Sequence, residues 1–180
     1  STAVNLLAGT IQPNLGDWTV NSRDWSEVIE SFPRGELRDY LGMVAEEGVT
    51  VAVKPQYIDK LPKIFEGAVR ELLEKVDDRS ELAEYTSLLA IDHVLDRKLG
   101  ALSGGELQRV ALCATLLKEA DVYFFDEPSS YLDIHERMRM VRIIQALAER
   151  GKRVLVVEHD LAILDVLCDL LHVVYGERAA

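Results

Sequence analysis

The run VYFF at 122–125, closed by Asp126 and Glu127, constrains this chain more than any other stretch. Four consecutive apolar residues of strand-forming type mark a strand buried on both faces, which is the pattern of a parallel sheet covered by helices. Charge beside a core is costly unless something compensates it. Adjacent carboxylates at the end of a buried strand therefore imply a site as well as a fold. The surrounding pattern agrees. Residues 105–119 read as a strongly apolar helix, HERMRMVRIIQALAER as a helix ended by Gly151, and RVLVVEH as another buried strand. DLAILDVLCDLL then reads as a helix capped by Asp160, and HVVYG as a last strand. Strands alternating with helices imply parallel strands joined by helical crossovers. The expected fold class is α/β, with a mostly parallel sheet flanked by helices.

The first half is less regular. TAVNLLA reads as the end of a helix stopped at Gly9, and WTV at 18–20 as a short edge strand. SEVIESF and RGELRDYLGMVAEEG read as short amphipathic helices separated by Pro33. VTVAVKPQY is β-branched and apolar up to Pro55, so a strand is expected to stop there. FEGAVRELLEKV and SELAEYTSLLA have helical spacing. The span from about 22 to 100 is thus expected to include a helical subdomain, and 101–176 to form the core. At 180 residues the chain is long enough for one domain of this kind. Its net charge of −11 argues against this segment wrapping nucleic acid unaided, since that needs cations to neutralise phosphates. No apolar run approaches the roughly 18–20 residues of a membrane span. The two cysteines, Cys113 and Cys168, lie in apolar helical patterns and read as buried free thiols.

In a parallel α/β sheet, ligands collect at the carboxyl ends of the strands. Asp126 and Glu127 lie at one such end, His159 at a second and Gln56 at a third. Each alone has an ordinary reading as a cap, a satisfied core group or a loop residue; together they form a site-like set. The octapeptide LSGGELQR at 102–109 adds a further element. Ser103 can cap a helix starting near Gly104, and the glycines leave backbone N–H groups open where the helix dipole favours an anion.

LSGGE, VYFFDEPSSYLD and VVEHD, in this order, resemble the signature motif, Walker B strand, D-loop and switch histidine of ABC-type ATPases, and VKPQY resembles their Q-loop. LAGTIQPNLGDW, RGELRDYL, VAVKPQYIDKLPK and VVEHDLAILDVLCDLLHVVYGE narrow the resemblance to the first nucleotide-binding domain of the RNase L inhibitor family of ribosome recycling ATPases. The resemblance covers essentially the whole chain and implies the P-loop NTPase fold of ABC type. It implies ATP and Mg²⁺ as ligands, with Asp126 on the metal, Glu127 polarising the attacking water, Gln56 sensing metal and water, and His159 on the γ-phosphate. It also implies that Ser103, Gly104, Gly105 and Glu106 bind nucleotide held by a second ABC domain of the same protein, and that Asp133 crosses that interface. The implied partners are the small ribosomal subunit and a release factor or its stalled-ribosome paralogue, in the cytoplasm and away from membranes. A nucleotide-binding subunit of an ABC membrane transporter shares the same motifs and stands as the alternative.

The phosphate loop pattern G-x-x-x-x-G-K-[ST] is matched only from its final Ser onward. By this resemblance Ser1 is a Mg²⁺ ligand and Thr2 lies beside the α-phosphate. The expectation is a piece of a longer protein that starts inside this motif, lacks the P-loop and its preceding strand, and is inactive alone. The family's iron–sulfur clusters are expected only in an N-terminal domain outside the chain.

Overall fold

The computed structural model describes residues 2–17, 19, 24–46 and 48–173. Its α-helices are α1 (Thr2–Leu7), α2 (Trp25–Ser31), α3 (Glu36–Ala45), α4 (Leu61–Ile64), α5 (Val69–Val76), α6 (Leu82–Leu88), α7 (Gly104–Leu116), α8 (Ile134–Glu149) and α9 (Leu161–Leu167). Its strands are β1 (Val51–Lys54), β2 (Val122–Asp126) and β3 (Arg153–Val157), paired in the order β1-β2-β3 with both ladders parallel.

All five residues of β2 are buried, as its apolar run requires. Successive side chains of a strand point to opposite faces, and β2 uses this to feed two apolar layers. Tyr123 and Phe125 enter the larger one, with Val110, Ala111 and Leu112 of α7 and Met140 and Ile144 of α8. Val122 and Phe124 enter the smaller one, with Val4 of α1 and the half-buried Leu7 and Tyr40. Tyr40 Oη donates to the Leu7 carbonyl at 2.9 Å and ties α3 to the end of α1. Gly9 then stops α1 at φ +71°, and a Cβ there would lie 2.7 Å from Val44 Cγ1, so the chain turns where only glycine fits.

Several boundaries match the sequence reading. Ser103 caps α7, Asp160 caps α9, and Gly151 follows α8 at φ +83°. β1 falls inside the largely helical span 22–100, yet pairs with β2 as part of the sheet. Two expectations fail or fall elsewhere. β3 is not a fully buried strand: Arg153 and Leu155 are exposed and the rest half-buried. It has a neighbouring strand only on its β2 side among the described residues; Val154 and Val156 pack on the larger layer and Val157 on the smaller. Most of WTV and of HVVYG lies outside the described residues; Thr19, His172 and Val173 are not in strands.

Both thiols are free, Cys113 buried and Cys168 half-buried. Burial pushes the Cys113 thiol up to about 12, with the negative charges of Asp77 and Asp92 adding to the effect. The thiolate is the reactive form. Iodoacetamide at pH 8 is therefore expected to leave Cys113 unmodified in the folded full-length protein and to label it in urea, read by peptide mass spectrometry. Labelling of Cys113 at the same rate with and without urea would contradict its placement.

Candidate active site

The parallel register brings the candidate residues together. Lys54 of β1 pairs with Phe125 of β2, and Asp126 of β2 pairs with Val157 of β3. Gln56 and His159 each lie two residues past these positions, so they flank the Asp126–Glu127 turn from either side. Gln56 Nε2 donates to Glu127 Oε1 at 2.7 Å. His159 Nε2 lies 3.2 Å from the same oxygen, and its ring is 80% exposed while the Glu127 side chain is 23% exposed. Ser130 Oγ donates to the other oxygen, Oε2, at 3.4 Å. Glu127 is thus a half-buried carboxylate fixed at one oxygen by an amide and facing an exposed imidazole. Asp126 beside it is buried, at 2% exposure.

The backbone turns sharply here, with Glu127 at φ +48°. A non-glycine residue in this region costs of order 1–3 kcal/mol and persists only where its surroundings hold it. Its N–H donates to the Val157 carbonyl at 2.8 Å, extending the β2–β3 ladder by one residue. Its carbonyl accepts from Gln108 Nε2 at 2.9 Å and Lys54 Nζ at 3.2 Å. Glu158 braces the next turn: Oε2 accepts from the Ser129 N–H at 3.2 Å and Oε1 from the His159 N–H at 2.9 Å.

Helix α7 starts with a reciprocal cap. Ser103 Oγ accepts from the Glu106 N–H at 3.3 Å, and Glu106 Oε2 accepts from the Ser103 N–H at 2.7 Å and from its hydroxyl at 2.8 Å. Arg97 donates to Glu106 Oε1 at 3.0 Å, and His93 Nε2 lies 3.5 Å from it. The Ser103 N–H and hydroxyl bonds, then the Arg97 charge, hold the Glu106 carboxyl down at about 2. The glycines have a steric reason beyond any anion. A Cβ on Gly104 would come 3.1 Å from the Tyr131 ring, and one on Gly105 3.0 Å from the Tyr131 carbonyl. The loop after β2, with Tyr131 at φ +64°, thus packs directly on the start of α7. Asp133 caps α8, accepting from the Glu136 N–H at 2.9 Å, and that bond, with the His135 N–H and nearby positive charge, lowers its carboxyl.

The structure therefore brings Gln56, Asp126, Glu127 and His159 into one cluster and sets the Ser103–Glu106 start of α7 beside the loop leading to Asp133. Thr2 opens α1 and is exposed, and Ser1 lies outside the described residues. Lys54, Gln108 and Glu158 were not singled out from sequence. A lysine inside a β-branched run and a glutamine on the apolar face of a helix were the available signals.

An acidic pair and an amide are hard oxygen donors of the kind Mg²⁺ takes, and Mg²⁺ commonly uses only one or two carboxylates alongside substrate phosphates. The described residues contain no group of three or more His, Cys, Asp or Glu able to cage a metal. The buried Asp126 carboxylate at a strand end fits that sparse pattern.

The ABC transporter family profile matches residues 1–130. The chain belongs to the ABC ATPase family, a P-loop NTPase fold with a parallel sheet flanked by helices, for which ATP and Mg²⁺ are the ligands. Within that family its similarity is to the RNase L inhibitor group. It is 43% identical over 182 residues to translation initiation factor RLI1 of Chaetomium thermophilum, covering 99% of this chain and 30% of that protein. It superposes with TM-score 0.91 on the archaeal ribosome recycling factor aABCE1 solved with the ribosomal stalk protein aP1, at 51% identity over 98% of this chain and 34% of that one. A structure of ribosome-bound archaeal Pelota and ABCE1 matches with TM-score 0.85 at 53% identity, over 98% of this chain and 29% of that one. The chain thus spans about a third of the length of these relatives.

The depressed Glu106 carboxyl has a pH consequence. A folded-state value lowered from 4.5 to about 2 stabilises above the ordinary value, and that stabilisation is lost as pH falls toward about 2. In the full-length protein, the stability advantage over Glu106→Gln is expected to be constant above about pH 5 and to shrink progressively below pH 4.5. A gap unchanged down to pH 3 in denaturant titrations would mean that the cap does not depend on the charge.

Proposed function

We propose that the chain is the ATP-binding and hydrolysing half of a soluble twin-ATPase that splits ribosomes into subunits after termination. The observation that carries the catalytic part is the shared contact at Glu127 Oε1, with Gln56 on one side and His159 on the other. Glu127 acts as the general base on the attacking water, an action worth about 10²–10⁴-fold in rate. His159, exposed and adjacent, contacts the γ-phosphate and keeps Glu127 and the water in register. Asp126 and the amide oxygen of Gln56 hold Mg²⁺, with Ser1 as a further ligand and Thr2 beside the α-phosphate. Bound Mg²⁺ neutralises charge on the transferring phosphoryl group.

Ser103, Gly104, Gly105 and Glu106 face nucleotide held by a second ABC domain, and Asp133 reaches across the same interface. The packing of the 129–132 turn on the start of α7 supports this reading, because it couples the base to the surface that meets the partner. ATP-driven closure of the two domains then performs work on the ribosome, and hydrolysis resets them. The ribosomal part rests on the relatives, whose names and titles include a recycling factor, a stalk protein and ribosome-bound Pelota. The proposed partners are therefore the small ribosomal subunit and a release factor or its stalled-ribosome paralogue, in the cytoplasm, with iron–sulfur clusters in a domain outside this chain. Among the described residues no helix is long and apolar enough to cross a membrane. The transporter-subunit reading shares the catalytic motifs, but the solved transporter cassettes that the chain matches are only 21% and 22% identical to it.

Glu127→Gln in the full-length protein is expected to lower hydrolysis about 10²-fold or more and to trap a nucleotide-bound closed state. An unchanged rate would remove the base assignment. Cosedimentation with small ribosomal subunits is expected to require a non-hydrolysable ATP analogue. Absence of binding with hydrolysis intact would leave the ATPase chemistry standing and favour the transporter reading.

A further inference from the structure

Lys54 is fully buried at the end of β1, a position where an apolar residue would serve the strand better. Its ammonium donates to the Asp126 carbonyl at 2.9 Å and the Glu127 carbonyl at 3.2 Å. Burial lowers its pKa to about 8, against the opposing pull of Glu127 and Glu158. Burying an ammonium on two backbone carbonyls is weak evidence for added stability, since well-packed apolar residues often do as well. Gln108 repeats the pattern from the other side. It is also fully buried, on α7, and its amide nitrogen donates to the Glu127 carbonyl at 2.9 Å and the Pro128 carbonyl at 2.8 Å. Two polar side chains, from separate elements, thus converge on the peptide that carries the strained φ of +48°.

We propose that Lys54 and Gln108 are positioning residues that hold the left-handed backbone of Glu127 and so aim its carboxylate between Gln56 and His159. The proposal rests on Glu127 being the catalytic base. The two residues also connect that base to distinct parts of the site. Lys54 is two residues before Gln56, and Gln108 is on the helix whose start is capped by Ser103. A movement of β1's end or of α7 reaches the Glu127 peptide through one hydrogen bond in each case. Ser130 N–H reaches the same carbonyl only at 3.4 Å, so the buried side chains supply the closer donors.

Lys54→Met and Gln108→Met keep side-chain length and remove the donors. In the full-length protein each is expected to lower kcat about 10- to 100-fold, the usual scale for groups that orient a reacting residue. KM for ATP is expected to stay within about twofold, since no nucleotide contact is removed. The discriminating readout is the double variant with Glu127→Gln. Residues acting through Glu127 have nothing left to position, so neither Met substitution is expected to lower the residual rate further. A purely structural role would instead lower the melting temperature and leave kcat of the folded fraction at the parent value. Parent-like kcat in both Met variants while Glu127→Gln is impaired overturns the positioning role and leaves the base assignment intact. Full additional loss in the double variants also overturns it. A parent rate in Glu127→Gln alone overturns the base assignment and this proposal with it. Should Lys54→Met fail to fold, Gln108→Met carries the same comparisons.

Discussion

The turn at Glu127 depends on the burial of β2. A strand apolar on both faces can be central only if helices cover each side, and α7 and α8 on one side with α1 on the other do so. Its parallel neighbours then end level with it, which places Gln56 and His159 beside the carboxylate that follows. The chemistry at the strand ends is thus a consequence of an apolar run four residues long.

A second dependence runs through the loop after the strand. Glu127 and Tyr131 both take left-handed backbone conformations, and the segment between them folds back onto the start of α7. Gly104 and Gly105 leave room for it, Glu158 accepts from the Ser129 N–H, and Gln108 holds the carbonyls of Glu127 and Pro128. Elements distant in sequence therefore share one small set of backbone groups. Arg109 extends the connection outward, donating to the Leu89 and Ala90 carbonyls and pairing with Glu136 of α8 at 3.2 Å. Through Gln108, a shift of α7 is felt directly at the Glu127 carbonyl.

The candidate site residues were legible because each stands at a strand end that hydrophobic pattern alone locates. Asp126 and Glu127 follow the apolar run, His159 follows RVLVVE, and Gln56 follows a run stopped by Pro55. The caps Ser103 and Asp160 were legible for the same local reason, an oxygen-bearing side chain just before a helical pattern. Lys54 and Gln108 were not, because their partners are main-chain carbonyls about 72 and 19 residues away, which no local pattern encodes. The exposure of β3 was misjudged for a related reason: an apolar composition does not say how many neighbouring strands a strand has.

The sequence by itself determined the α/β alternation, the buried middle strand and the types of residue at its end, since these follow from side-chain periodicity and local capping. It also carried the resemblance to the RNase L inhibitor family in strings that span the chain. Only the tertiary structure decided that Glu127 Oε1 is shared by Gln56 and His159, that the signature glycines make room for Tyr131, and that two buried donors converge on the Glu127 carbonyl. These depend on strand register and on the packing of α7 against the sheet. Both are set by which apolar faces meet, and that is a property of the whole chain that no single stretch contains.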